Sequence, residues 1–150
     1  MLRNVMIGVV LAATLVVSGC ASVSMGSKEE DMALKQFPAP PDSMAGVYVY
    51  RDSFIGKALK KTVSLDGEII GETANGVYFY KVIPPGEHVI STESEFSDNA
   101  LSFVADADRN YFVRQYIKMG VFVGGAGLEM VDEEQGMMAV RECCRLAASQ

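Results

Sequence analysis

Apolar and polar positions divide the 150-residue chain into three regimes. From Val5 to Val17, thirteen residues pass without a charge. A helix rising about 1.5 Å per residue needs roughly 20 such residues to cross a bilayer, so this run is too short. From 21 to 45, serines, a charged patch and Pro38, Pro40 and Pro41 break any long period. A tether is expected there, with a short helix or extended piece between Asp31 and Phe37 packing on the domain. Fully extended it reaches about 80 Å, and as a coil about 30 Å. From Gly46 onward the period becomes two.

GVYVYR, residues 46–51, alternates valine with tyrosine, as a strand with two different faces requires. TVSLDGEIIGET, residues 62–73, carries Asp66-Gly67 between alternating runs, a hairpin signal because glycine tolerates positive φ. Asn75-Gly76 marks another turn before the strand GVYFYKVI, residues 76–83. Pro84-Pro85-Gly86 then turns the chain into EHVISTESEF. NALSFVADA (99–107), YFVRQYIKMG (111–120) and a short GLEMVD (127–132) read as the remaining strands. Their spacing predicts an all-antiparallel β-sandwich.

After Asp132 the period changes to that of a helix. Asp132 suits an N-cap, Gln135 stands three residues on, and acids fill the first turn. Met137, Val140, Cys144 and Ala147 form an apolar stripe, and Arg141 and Arg145 suit the C-terminal end. The predicted fold is mainly β: an antiparallel sandwich over 46–150 with a C-terminal α-helix, after a cleaved signal helix (1–19) and a lipidated tether (20–45).

The boundary at residue 20 rests on VVSGCAS, residues 16–22. Arg3 precedes the apolar run and small residues follow it, as in a secretory signal. Val17-Ser18-Gly19-Cys20 resembles the lipobox of bacterial lipoproteins. The resemblance implies cleavage before Cys20, diacylglycerol on its thiol and acylation of the new amine. One acyl chain holds a protein marginally, and two or three hold it stably. Ala21 is not the aspartate that retains lipoproteins at the inner membrane, so the resemblance points to the outer membrane, facing the periplasm.

Charge narrows the partners. The chain carries 13 basic and 19 acidic residues, net −6. Losing Arg3 with the signal makes the balance more acidic still. An acidic chain is a poor match for nucleic acid, whose phosphates need neutralising. The expected partners are the membrane, through Cys20, and an envelope protein. With Cys20 assigned, Cys143 and Cys144 remain. Neighbouring α-carbons lie about 3.8 Å apart, less than an ordinary disulfide spans, and on a helix the side chains diverge. Two small side chains packed on the core are expected, with an intermolecular disulfide as the alternative.

Catalytic, metal and cofactor patterns are thin. His88 is the lone histidine, and no serine sits in a G-x-S-x-G elbow. Asp106, Asp108 and Asn110 open like a calcium loop, but Tyr111 and Ile117 stand where glycine and glutamate belong, so a polar turn is expected. Gly124 to Gly127 lacks a surrounding βαβ unit and reads as a flexible connection. Beside it, Val121, Phe122 and Val123 read as an inward-packed edge strand or an exposed partner-binding loop. Arg51, Lys57, Lys60 and Lys61 concentrate positive charge. They read as a solvated loop, or as a contact for anionic lipid or an acidic partner. No catalytic residue, metal or cofactor is assigned.

GVYVYR, VSLDGEIIGET, NGVYFYKVIPPGEHVI, NYFVRQYI and MVDEEQG together resemble a family of bacterial lipoproteins catalogued as domain of unknown function 2846. VIPPGEH also resembles the P-x-G-x motif of PEGA-type β-sandwiches. The likeness spans about residues 33–142. It implies the sandwich fold and the lipoprotein class, and no activity. A non-catalytic binding or assembly module is therefore expected, with an envelope hydrolase or a structural subunit as alternatives.

Overall fold

The computed structural model describes residues 21–94, 99–120 and 124–150. The signal and lipobox, including Val17, Ser18, Gly19 and Cys20, lie outside them, as do Val121, Phe122 and Val123. In chain order the elements are α1 (Lys28–Leu34), β1 (Ala45–Arg51), β2 (Lys61–Leu65), β3 (Glu68–Thr73), β4 (Val77–Ile83), β5 (Gly86–Thr92), β6 (Asn99–Ala105), β7 (Asn110–Lys118), β8 (Gly125–Val131), α2 (Glu133–Cys143) and β9 (Arg145–Leu146). One sheet has the order β8-β7-β1-β4-β9 and the other β3-β2-β5-β6. The fold is mainly β, two sheets with a C-terminal helix, as the period predicts.

β1 explains the architecture. All seven of its residues are buried. Val47 and Val49 face the second sheet, with Val63, Phe79, Ile90 and Val113. Tyr48 and Tyr50 face the other way, into a cluster with Tyr78, Phe112, Val140 and Leu146. The valine–tyrosine alternation thus separates two buried faces, each with its own chemistry. Tyr48 stacks on Phe112 with ring centroids 4.9 Å apart. Phe37 meets both rings edge-on. The Tyr48 hydroxyl donates to the Leu34 carbonyl at 3.1 Å. Burial, with Tyr80 close by, drives that phenol well above its usual range. The hydroxyl is a permanent donor at any physiological pH.

Three expectations change. The sandwich is not wholly antiparallel: β1 runs parallel to β7, and β4 parallel to β9. The whole second sheet intervenes in sequence between β1 and β7, and a crossover of that length permits parallel pairing. α2 stops at Cys143; Cys144 is extended, and Leu146 and Ala147 follow the edge of β4. Gly125 to Gly127 are the first residues of β8, paired with Tyr116, Ile117 and Lys118.

The segment expected as a tether lies against the domain. The Gly26 N–H donates to the Leu146 carbonyl, and the Ala148 N–H to the Ser24 carbonyl, both at 2.9 Å. α1 is capped by the Ser27 hydroxyl, which accepts from the Glu30 N–H. Leu34 and Phe37 cover aromatic rings of the outer sheet face. That burial, which composition alone does not reveal, outweighs the prolines' preference for an open chain.

Candidate functional site

The positive cluster divides once the chain folds. Arg51 is fully buried, contrary to its reading as a solvated or partner-contacting residue. It ends β1, and its side chain points along the underside of the 52–60 loop. Its Nη1 donates to the Leu59 carbonyl at 2.7 Å and the Thr73 carbonyl at 3.3 Å, while Nη2 donates to the Gly56 carbonyl at 2.7 Å. Burial lowers its proton affinity from the usual guanidinium value. Nε has no partner among the described residues. A planar fork with several donors suits this work, because the loop offers carbonyls in several directions. Lys61 is also largely buried, whereas Lys57 and Lys60 are exposed.

A polar belt continues inward from Arg51, and sequence reasoning missed it. Gln115 on β7 is fully buried between Thr73 on β3 and Thr92 on β5. Its Oε1 faces the Thr73 hydroxyl, and its Nε2 donates to Thr92 Oγ1 at 2.7 Å. The Thr92 hydroxyl in turn donates to the Thr62 carbonyl at 2.8 Å. The belt ties the two sheets together beneath the loop. Its signal was the inward register of Gln115 between Val113 and Ile117 on a strand of period two.

The loop is held on its outer side as well. Asp52 accepts from Arg114 Nε at 2.7 Å, and Arg114 reaches Glu129 at 2.9 Å. Between these clamps the chain turns at Gly56 and exposes Phe54 and Ile55. Lys57 Nζ stands 4.9 Å from the Phe54 ring centroid. The Ala21 N–H donates to the Lys57 carbonyl at 3.1 Å, so the start of the described chain rests on this loop. An open hollow of about 570 Å³ lies nearby, lined by Ser22, Ser24, Lys60, Glu72 and Gln150 among others.

His88 stands at the other end of the sandwich, in an internal clamp. Its Nδ1 lies 2.6 Å from Asp66 Oδ2, and its Nε2 lies 2.7 Å from the Pro84 carbonyl. Both partners are acceptors, so the doubly protonated ring satisfies them together. Burial works to lower its proton affinity, but the Asp66 hydrogen bond, the Pro84 carbonyl and the Asp66 charge outweigh it and raise the pKa. The ring joins the β2–β3 and β4–β5 turns, with no nitrogen left to serve as a base.

Asp106, Asp108 and Asn110 form a turn, as expected. Asp108 accepts from the Ser43 N–H, Asp106 pairs with Arg109, and Asn110 donates to the Pro38 carbonyl. Among the described residues, no three His, Cys, Asp or Glu side chains stand as a metal-ligand set.

Cys143 and Cys144 are bonded to each other, which corrects the expectation of two separate side chains. The helix ends between them: Cys143 is helical and Cys144 extended, at φ −131° and ψ 153°. That break turns together two side chains that a continuous helix would hold apart. The Cys144 sulfur packs 3.7 Å from the Arg51 carbonyl, in the aromatic cluster.

These features define a two-sheet β-domain faced with helices, with a pinned loop at one end and a histidine clamp at the other. The family described as "Protein of unknown function (DUF2846)" matches residues 41–126, and the chain belongs to it. A Haemophilus influenzae protein described as "Uncharacterized protein" is 53% identical over 131 residues, covering 87% of this chain and 78% of its own. No solved structure matches. No helix among the described residues is long and apolar enough to cross a membrane.

Proposed function

We propose that the protein is a bacterial envelope lipoprotein, anchored by acyl chains on Cys20, whose β-domain is a non-catalytic binding or assembly module. The reading rests on one observation: an apolar run of thirteen residues closes on Val17-Ser18-Gly19-Cys20. In this reading the protein sits at the outer membrane, facing the periplasm, because Ala21 and not an aspartate follows the cysteine. Two features agree with a module that binds rather than reacts. His88 spends both ring nitrogens on structure. The buried polar groups Arg51, Thr73 and Gln115 face one another rather than a cleft.

Metabolic labelling with a palmitate analogue tests the anchor. The native chain should incorporate label and partition with membranes, and Cys20→Ala should do neither. Equal labelling of the two would remove the lipoprotein assignment. Crosslinking in intact cells, followed by capture of the native protein, tests the assembly role. A membrane-attached protein that yields no crosslinked partner counts against it.

A further inference from the structure

We propose that the 52–60 loop is a membrane-contacting surface: Phe54 and Ile55 enter the headgroup region of the anchoring leaflet, with Lys57 and Lys60 on its anionic phospholipids. The proposal rests on the anchor reading above and adds an orientation to it. Three independent features meet at this end of the sandwich. Phe54 is 72% exposed and Ile55 57% exposed, side by side at a turn. A large aromatic and a branched aliphatic side chain gain by leaving water for the acyl boundary. Lys57 and Lys60 follow them in the same loop, both exposed, in a chain of net charge −6. Long lysine stems keep their ammonium groups at headgroup level while neighbouring apolar groups go deeper.

The third feature is where the chain comes from. Ala21 donates its N–H to the Lys57 carbonyl, and Cys20 is the residue bonded to Ala21 in the chain. An acylated Cys20 therefore brings the bilayer to this loop rather than to the opposite end. β7 runs parallel to β1 and ends at the same side, where Met119 is 83% exposed. Ile117 packs beside Gly56, which places the end of β7 against the loop. The loop is also prepared for insertion. Arg51 holds the Gly56 and Leu59 carbonyls from below, and Arg114 holds Asp52, so little order has to be gained on contact.

The chain contains no tryptophan, so F54W supplies a single fluorophore at the loop. V104W supplies a control: Val104 is 61% exposed near the Gly86 end of β5, on the outer face of the second sheet. Each variant is made as the full chain, purified as the cell leaves it and placed on vesicles of phosphatidylethanolamine and phosphatidylglycerol with brominated acyl chains. The F54W emission should shift to the blue and be quenched about two-fold or more beyond that of V104W. K57E/K60E should reduce the difference on these vesicles, and added salt should reduce it in the native-lysine background and change it little in K57E/K60E. Quenching of F54W no greater than that of V104W overturns the proposal. Palmitate labelling of the same preparations separates the two readings. Labelling without preferential quenching leaves the anchor and removes the orientation. Preferential quenching without labelling removes the anchor and leaves the loop as a lipid contact. Absence of both removes both.

Discussion

Asp66 Oδ2 stands 2.6 Å from His88 Nδ1, and the other oxygen of the same carboxylate accepts the Val89 N–H at 2.8 Å. The aspartate can do this because it occupies a turn with φ +50°, followed by Gly67 at +84°. A residue read from sequence as a turn-former is thus also a clamp. It joins the β2–β3 tip to β5, and through the imidazole to Pro84.

That clamp sets a pH dependence. Burial works to raise the Asp66 carboxyl, but the Val89 N–H and His88 outweigh it and hold the pKa below 3.8. His88 is raised above 6.5. The histidine contribution is therefore complete below pH 6.5 and is lost as pH rises through the raised folded value. The aspartate contribution is present above 3.8 and is lost as pH falls through the depressed folded value. Between those limits the pair stabilises most. Asn also tolerates positive φ, so Asp66→Asn keeps the turn and removes the charge. It should cost about 0.5–1 kcal/mol near pH 5.5, discounted because the carboxylate is half exposed, and less at pH 8. Thermal melts of both proteins from pH 5 to 9 check this; a constant difference across that range would remove the charged clamp.

Arg51 carries a larger share of stability than a surface arginine. Arg51→Met leaves the Gly56 and Leu59 carbonyls without their donors and should destabilise by about 2–3 kcal/mol. Arg51→Lys keeps the charge but cannot span both carbonyls, and should fall between. Hydrogen exchange gives a local readout: the Leu59 N–H, bonded to the Gly56 carbonyl at 2.8 Å, should exchange faster in both variants. A loss within about 0.5 kcal/mol would mark Arg51 as the solvated residue its sequence context suggests.

The strands were legible because alternation is a local property. Asp66-Gly67, Pro84 to Gly86 and Asp108 to Asn110 mark turns wherever the partner strands lie. The Asp132 cap was legible for the same reason, and its carboxylate accepts the Gln135 N–H as expected. Arg51 was not legible, since burying a cation depends on carbonyls that the loop supplies only after folding. That the Asp31 to Phe37 segment packs on the domain was legible, but the face Leu34 and Phe37 cover was not, because it is assembled from β1, β4 and β7. Parallel pairing of β1 with β7 leaves no mark in either segment, as the period is two in both arrangements. The candidate loop was half legible: its lysines stand together in sequence, while its nearness to Ala21 exists only in three dimensions.

The cysteine pair has a direct chemical check. Arg141 and Arg145 flank it, so trypsin should release Glu142 to Arg145 as one short peptide. Unfolded without reductant and treated with iodoacetamide, the native protein should yield that peptide unalkylated and two hydrogens lighter than the dithiol. After reduction it should gain two carbamidomethyl groups. Such a bond persists in an oxidising compartment and is rare in the cytosol. Alkylation without reductant would return the pair to the separate thiols expected from helical geometry.

Gly136 should reverse an ordinary rule. In an exposed helix interior, replacing glycine by alanine stabilises by about 1 kcal/mol, because alanine loses less backbone freedom. Gly136 lies in the first turns of α2, where that gain is expected on propensity alone. It is buried, however, and a Cβ there would run into Cβ and Cγ of Phe112. Those are the root of the side chain and not its flexible end, and Phe112 is fixed by its stack on Tyr48. Accommodation therefore requires α2 to lift from β7 or the ring to leave its stack. Gly136→Ala should destabilise by about 1–3 kcal/mol, and Gly136→Val by more. Exposed Met138 on the same helix provides the contrast: Met138→Ala should change stability by less than about 0.5 kcal/mol. Urea unfolding of the three variants checks the order. A stabilising Gly136→Ala would mean that α2 does not seat on Phe112 in solution.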